Sequence, residues 1–244
     1  MKTHIVACET IRDELISALS RLGLNCPVVW LEGGLHNSPA RLRARLAEVL
    51  AEADGRCERL LVTLGYCGGG VNGLKTGGYT TVLPLADDCL SLLLGSMAAR
   101  KASALIPTYY LTAGWLRHES NMVKDYERLV ARHGRAKADR MAKLMLRHYR
   151  RFGLVDTGVY YFKRLMGRVG PLAERLGLSV ESLPGDTSWL DRLLQGPHET
   201  GDFLVLPPRT ELTFEHWSGF LLGGGEGAGA AANPRRPAVG QVRP

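Results

Sequence analysis

Five cysteines are the side chains of this sequence best placed to do chemistry, and their spacing sorts them. Cys8 closes the apolar run HIVAC (4–8). Cys67 follows RLLVTLGY (59–66) and heads a glycine-rich loop, and Cys89 stands where a helix begins after TTVLPL (80–85). Read as strands of a parallel sheet, these runs bring three thiols to the carboxyl edge, where open α/β sheets bind ligands. Each also adjoins a helix start or a loop with free backbone N–H groups, which favours the thiolate. Cys26 and Cys57 precede the second and third strands, at the opposite edge, and are expected to be structural. Soft thiolates select zinc or iron–sulfur clusters over hard cations. Three protein ligands with a fourth position open is the arrangement of a reactive metal site. The sequence therefore predicts a metal centre on Cys8, Cys67 and Cys89, holding zinc or a 4Fe-4S cluster. Glu9, His36, Asp88 and an external thiol are the candidates for the fourth ligand.

Glu9 follows Cys8 in the first turn of a helix, and His36 lies in EGGLHN after the second strand, at the same edge. Both are candidate catalytic groups, His36 as ligand or proton shuttle. The loop after Cys67 carries Gly68, Gly69, Gly70, Asn72 and Gly73. Its glycines allow positive φ and close backbone approach, so this segment is expected to wrap a cluster or an anionic ligand with N–H groups. No G-K-[ST] closes it and it does not open a helix in the dinucleotide register, which argues against nucleotide binding. Tyr109, Tyr110 and Trp115 lie at the end of the fifth strand, where they either wall the pocket or fill the core, Tyr109 reading as core more than Trp115 does.

Strand–helix alternation positions these groups. A helix over about 9–22, a strand at 27–32, a helix from Pro39 behind the cap Ser38, and strands at 59–66, 80–85 and 104–112 describe a mostly parallel sheet with helices on both faces. One helix is expected from Asp87 to about Lys101. Residues 118–152 read as a helical insertion, 153–161 as a short link, and 161–207 as helix, strand, short helix and strand, a second small α/β region. The expected division is 1–116, carrying the cysteine site, 117–220 packed with it as one unit, and a disordered Gly/Ala/Pro/Arg tail at 221–244.

The chain of 244 residues is 45% apolar and 23% charged, ordinary globular composition. No run reaches the length of a membrane span, and Arg12, Asp13 and Glu14 interrupt any export signal, so a cytoplasmic location is expected. The cysteines are then free thiols or ligands rather than a disulfide framework. The net charge of +7 is local: residues 128–151 hold nine basic residues and one acid, Asp139. Without aromatic interleaving this stretch argues against nucleic acid and leaves a solvated face or a docking surface for an acidic protein.

Several segments together resemble a known family: ACE (7–9), GGLHNSPARLRARL (33–46), GYCGGGVNGL (65–74), LPLADDCLSLLLGS (83–96), TYYLTAGW (108–115), LVDTGVY (154–160) and DFLVLPP (202–208). The pattern is similar to an uncharacterised prokaryotic domain-of-unknown-function family, often encoded beside corrinoid-dependent methyltransferases and corrinoid proteins. The resemblance spans residues 3–208, and the recurrent cysteines of the family match Cys8, Cys67 and Cys89. Where many relatives carry His-Asp-Cys, this chain has Asp87-Asp88-Cys89, which removes a ligand at position 87. The resemblance implies a corrinoid protein or methyltransferase as partner. Three roles stand open: a metal-centre protein in corrinoid-linked methyl transfer, as methyl-transfer partner or redox activator; a metal-free enzyme with one nucleophilic cysteine, Cys67 or Cys89; and a non-catalytic adaptor docking through its basic helix.

Overall fold

A computed structural model describes residues 1–222 of the chain. The tail expected at 221–244 lies outside the described residues from position 223 on. β1 (Thr3–Cys8), α1 (Arg12–Arg21), β2 (Val28–Leu31), α2 (Pro39–Ala53), β3 (Arg59–Thr63) and β4 (Thr80–Pro84) alternate as expected. α3 (Cys89–Leu93) and α4 (Met97–Ser103) lead to β5 (Thr108–Leu111). α5 (Ala113–Arg117), α6 (Met122–His133) and α7 (Arg135–Met145) precede β6 (Arg151–Asp156), and α8 (Phe162–Leu176) joins it to β7 (Ser179–Pro184). α9 (Ser188–Gln195), β8 (Phe203–Leu206) and α10 (Glu215–Leu222) complete the described chain.

The fold is α/β, with mostly parallel strands flanked by helices. The larger sheet runs in the order β2-β1-β3-β4-β8, with β8 alone antiparallel. The alternation of side chains along its strands divides two cores. Val6, Leu60 and Val62 face α2, and Ile5, Ala7 and Leu61 face α1 and α9. Burial on both faces is why these strands read as continuous apolar runs.

The fifth strand does not extend that sheet. It starts a second, smaller one in the order β5-β6-β7, all parallel. Phe152 and Leu154 face the core built by α5 to α8, and Val155 and Leu183 face Ile11 and Leu93 of the first unit. Residues 153–161, expected as a link, contribute most of the central strand β6. Gly153 sits there because a Cβ would lie 2.5 Å from Thr108 Cγ2 and 2.6 Å from Leu183 Cδ1. The single helix expected from 87 to 101 is two, α3 and α4, broken at Gly95, whose φ of 79° places it in the left-handed region.

The seam between the two units contains a buried acid. Glu14 of α1 is 1% exposed; its Oε1 accepts from Thr157 Oγ1 at 3.1 Å, and its Oε2 has no partner among the described residues. Burial raises the Glu14 carboxyl above its ordinary range, reinforced by the Asp13 carboxylate and opposed by hydrogen bonds and Arg117. The folded state therefore holds a proton that the unfolded chain releases above about pH 4.3. Stability is lost as pH rises from that value through the folded pKa. Glu14→Gln keeps the bond to Thr157 and removes the proton. Its urea midpoint should match or exceed the parent protein's at pH 8, with the difference shrinking toward pH 4.

Candidate functional site

Three strand ends build one cavity. Cys8 is the last residue of β1 and leads into the 3-10 turn Glu9–Ile11. The Thr10 hydroxyl in that turn donates to Cys8 Sγ at 3.1 Å and lies 3.8 Å from Cys89 Sγ, so one side chain touches both thiols. Cys89 is the first residue of α3, whose N-cap is Asp88: Asp88 Oδ1 accepts from the N–H groups of Leu90 (2.9 Å) and Ser91 (3.1 Å). Cys67, beyond β3, has a φ of 46°, unusual for a residue with a Cβ. Its N–H donates to the Asp87 carbonyl at 2.8 Å, and the Tyr66 N–H to the Ala86 carbonyl at 2.8 Å. Gly65 allows that approach, since a Cβ there would stand 2.6 Å from Ala86 O and 2.7 Å from Asp88 N. The exits of β3 and β4 are thus clamped together, and Cys67 is turned into the same space as Cys8 and Cys89.

That space is a cavity of about 350 Å³ lined by all three cysteines, among others, at the low end of small-ligand sites. Its polar lining comprises Thr10, Glu32, His36, Asp87, Asp88 and Thr112, besides the thiols; leucines, Ile11, Tyr110 and Trp115 supply most of the rest, and among the described residues no lysine or arginine lines it. Trp115 lies between two histidine rings, tilted against His36 at 5.3 Å and stacked on His118 at 5.1 Å. His118 in turn occupies the space of a Gly33 side chain, a Cβ there falling 2.5 Å from its ring. This stack joins the rim after β2 to α5 of the second unit.

The electrostatics belong to one shared, partly enclosed pocket, in which Cys8 is buried and Cys67 and Cys89 are half-buried. Burial pushes the Cys67 thiol up to about 12, with Asp88 and Cys8 adding to it. Burial also raises Cys89 well above the ordinary thiol value, reinforced by Cys8, Asp88 and Cys67. Cys8 is raised by burial, and its bond from Thr10 offsets part of this. Each of the three is a neutral thiol at pH 7. His36 is lowered by burial, against the pull of Asp88, so its ring is neutral as well. Asp88 is raised by burial and by Asp87, with Arg100 at 3.6 Å opposing.

The expected site residues divide. Cys8, Cys67, Cys89, His36 and Gly68 meet at the cavity. Glu9 does not: it pairs with Arg12 at 3.1 Å on the exposed side of its turn. Gly69, Gly70, Asn72 and Gly73 form no cradle around the cavity. Gly70 presses on Leu42, Asn72 Nδ2 donates to Tyr66 OH at 2.9 Å, and the Gly73 N–H donates to the Leu212 carbonyl at 2.7 Å. Cys57 and Cys26 sit apart, Cys57 donating to the Ala53 carbonyl at 3.7 Å and Cys26 packing on the core beside α1. Among the described residues, no three His, Cys, Asp or Glu side chains stand grouped closely enough to hold a metal ion, Cys8, Cys67 and Cys89 included. Thr10 is the neighbour of the thiols that sequence reasoning missed; a threonine two residues after a cysteine carries no signal. Asp88, expected inside the helix and as a candidate fourth ligand, instead caps the start of α3. The basic stretch 128–151 lies along α6, α7 and the start of β6 and contributes nothing to the cavity lining. Among the described residues, no helix is long and apolar enough to cross a membrane.

Fold and site define an α/β protein with a thiol-lined pocket at the carboxyl edge of its larger sheet. The model of the protein family of unknown function DUF1638 matches residues 30–194, more than half of the chain, and the chain belongs to that family. Comparison with curated proteins and with solved structures finds no match.

The cavity depends on a close backbone approach. A Cβ on Gly114 would fall 2.1 Å from the Thr10 carbonyl oxygen, so α5 rests directly on the turn that carries Cys8. Gly114→Ala should destabilise the protein by about 1–3 kcal/mol, the range for overpacked interiors. A lowered urea midpoint with an unchanged slope checks this.

Proposed function

We propose that the cavity is a soft-metal site on Cys8, Cys67 and Cys89, taking zinc or an iron–sulfur cluster, and that the protein serves corrinoid-linked methyl transfer. The observation that carries the metal reading is the convergence of three thiols, from three separate strand ends, on one cavity where Cys8 raises Cys67 and both of these raise Cys89. Neutral thiols repelling one another's ionisation suit a site whose charge is balanced by a cation. They do not suit a lone nucleophile, which needs a partner that lowers its pKa. The acids Glu32, Asp87 and Asp88, with no lysine or arginine among the described residues of the lining, favour a cation for the same reason.

Binding requires movement and proton loss. Zn–S bonds are about 2.3 Å long, so the side chains must rotate inward from their present positions. Cys8 and Cys89 already share the Thr10 hydroxyl. All three thiols must ionise, so metal uptake releases protons and strengthens with pH. The corrinoid context rests on family resemblance. A cavity of about 350 Å³ accommodates a small ligand, so the corrinoid would be carried by the partner protein.

Protein purified without oxygen should contain about one zinc, or one cluster with its visible absorption, per chain. Cys8→Ser, Cys67→Ser and Cys89→Ser should each lower that content severalfold, because a lost thiolate costs a ligand. Cys26→Ser and Cys57→Ser should leave it unchanged. Absence of metal and sulfide from the parent protein, with no uptake on reconstitution, overturns this reading.

A further inference from the structure

The cavity is built at the carboxyl ends of the strands, and the amino end of the smaller sheet carries a surface of its own. Three segments are tied together there. The Arg150 N–H donates to the Pro107 carbonyl at 2.8 Å, and Thr108 pairs with Arg151 across β5 and β6. The Arg151 guanidinium donates to the Ser103 carbonyl at 3.0 Å, which holds the end of α4 against the start of β6. The chain from α7 into β6 folds back tightly: the Tyr149 N–H donates to the Leu146 carbonyl at 2.9 Å, and the Tyr149 ring lies 5.4 Å from that of Tyr109. The turn before β5 and the end of α7 therefore share one surface.

That surface is apolar at its tips and basic around them. Leu105 is 84% exposed and Leu144 61%, with Ile106 and Met145 exposed beside them. Apolar side chains scattered singly in water are ordinary; several at one end with a charged rim mark an interaction surface. The rim is formed by Lys101, Lys143, Arg147 and Arg150, all exposed. Among the described residues none of these four is ion-paired. Two acids of this end are already engaged, Asp139 by Arg175 at 3.5 Å and Glu181 by Arg151. Glu174, near the end of α8, is a further acid there.

We infer that this surface rests on an anionic lipid bilayer, the apolar tips entering the acyl boundary and the cations meeting lipid phosphates. Lysine and arginine around protruding apolar side chains are what an anionic interface attracts. A protein interface is a poorer match: such interfaces are built on aromatic anchors and are depleted in lysine, whereas none of the four exposed apolar side chains here is aromatic. A second copy of the chain would bring like charges face to face. The cavity lies at the other end of β5, where Thr112 and Trp115 line it, so the two sites occupy opposite ends of one strand.

The test is co-sedimentation of the full-length protein with vesicles of phosphatidylcholine alone and of equal parts phosphatidylcholine and phosphatidylglycerol. Binding to the anionic vesicles is expected to be about ten-fold or more tighter than to the neutral ones. It should weaken as salt rises from about 0.1 M to about 1 M, where screening shortens from about 10 Å to about 3 Å. Lys143→Glu with Arg147→Glu should weaken it about ten-fold or more, and Leu105→Gln with Leu144→Gln severalfold. These positions are exposed, so an unchanged thermal midpoint confirms that the variants fold. Arg41→Glu on α2 and Ile16→Gln on α1, exposed elsewhere on the molecule, should bind as the parent does. Equal binding to both vesicle types, no binding to either, or equal loss in the Arg41 and Ile16 variants overturns the inference. Retention on poly-L-glutamate without vesicle binding assigns the surface to an acidic protein, and a dimer that Leu105→Gln dissolves assigns it to a second copy; either result also overturns it.

Discussion

Gly114 approaches the Thr10 carbonyl so closely that no other residue fits there, and the arrangement of the cavity follows from that contact. The turn 9–11 is pinned between β1 and α5. Its threonine hydroxyl is then fixed over Cys8, and Cys89 is brought to the same oxygen by the Asp88 cap of α3. α5 also carries Trp115, whose ring closes the opposite wall against His36. A backbone contact between two units thus sets the spacing of side chains drawn from four strand ends.

The second clamp is the one between the exits of β3 and β4. Two hydrogen bonds, from Tyr66 and Cys67 to the carbonyls of Ala86 and Asp87, hold Cys67 in a left-handed conformation that a residue with a Cβ seldom adopts. Such conformations persist where the surroundings over-determine them, and they cluster at binding sites. Here the surroundings are Gly65 on one side and the Asp88 cap on the other. The thiols are consequently presented in a pocket that disfavours their charged forms, which gives a positively charged guest an advantage over a negative one.

Much of this was legible in the sequence, and the gaps have physical causes. The ends of β1, β3 and β4 are marked by the change from apolar runs to turn and cap residues, so the carboxyl-edge placement of Cys8, Cys67 and Cys89 and the separateness of Cys26 and Cys57 could be read directly. A second small α/β region was expected, but that β5 belongs to it was not, because pairing partners leave no local trace and the run 104–112 reads as a fifth strand of the first sheet. β6 was obscured by Gly153 and by Asp156-Thr157-Gly158. The glycine reads as a loop but is demanded by crowding from Thr108 and Leu183. The glycine-rich segment looked like a ligand cradle, yet after Gly68 its residues serve packing and backbone bonding. Thr10 was invisible because its importance lies in where two other elements meet it.

The strand order of the larger sheet has a consequence for how the molecule is made. β4 receives its outer neighbour from residues 203–206, after the whole β5-β6-β7 sheet has been traversed. Throughout synthesis of the intervening segment β4 therefore presents an unsatisfied ladder edge, the feature most prone to pairing with other chains. β8 supplies the antiparallel cover that removes it, through pairs from Thr81↔Leu206 to Pro84↔Phe203. The nascent chain thus stays vulnerable to aggregation until this late strand emerges from the ribosome.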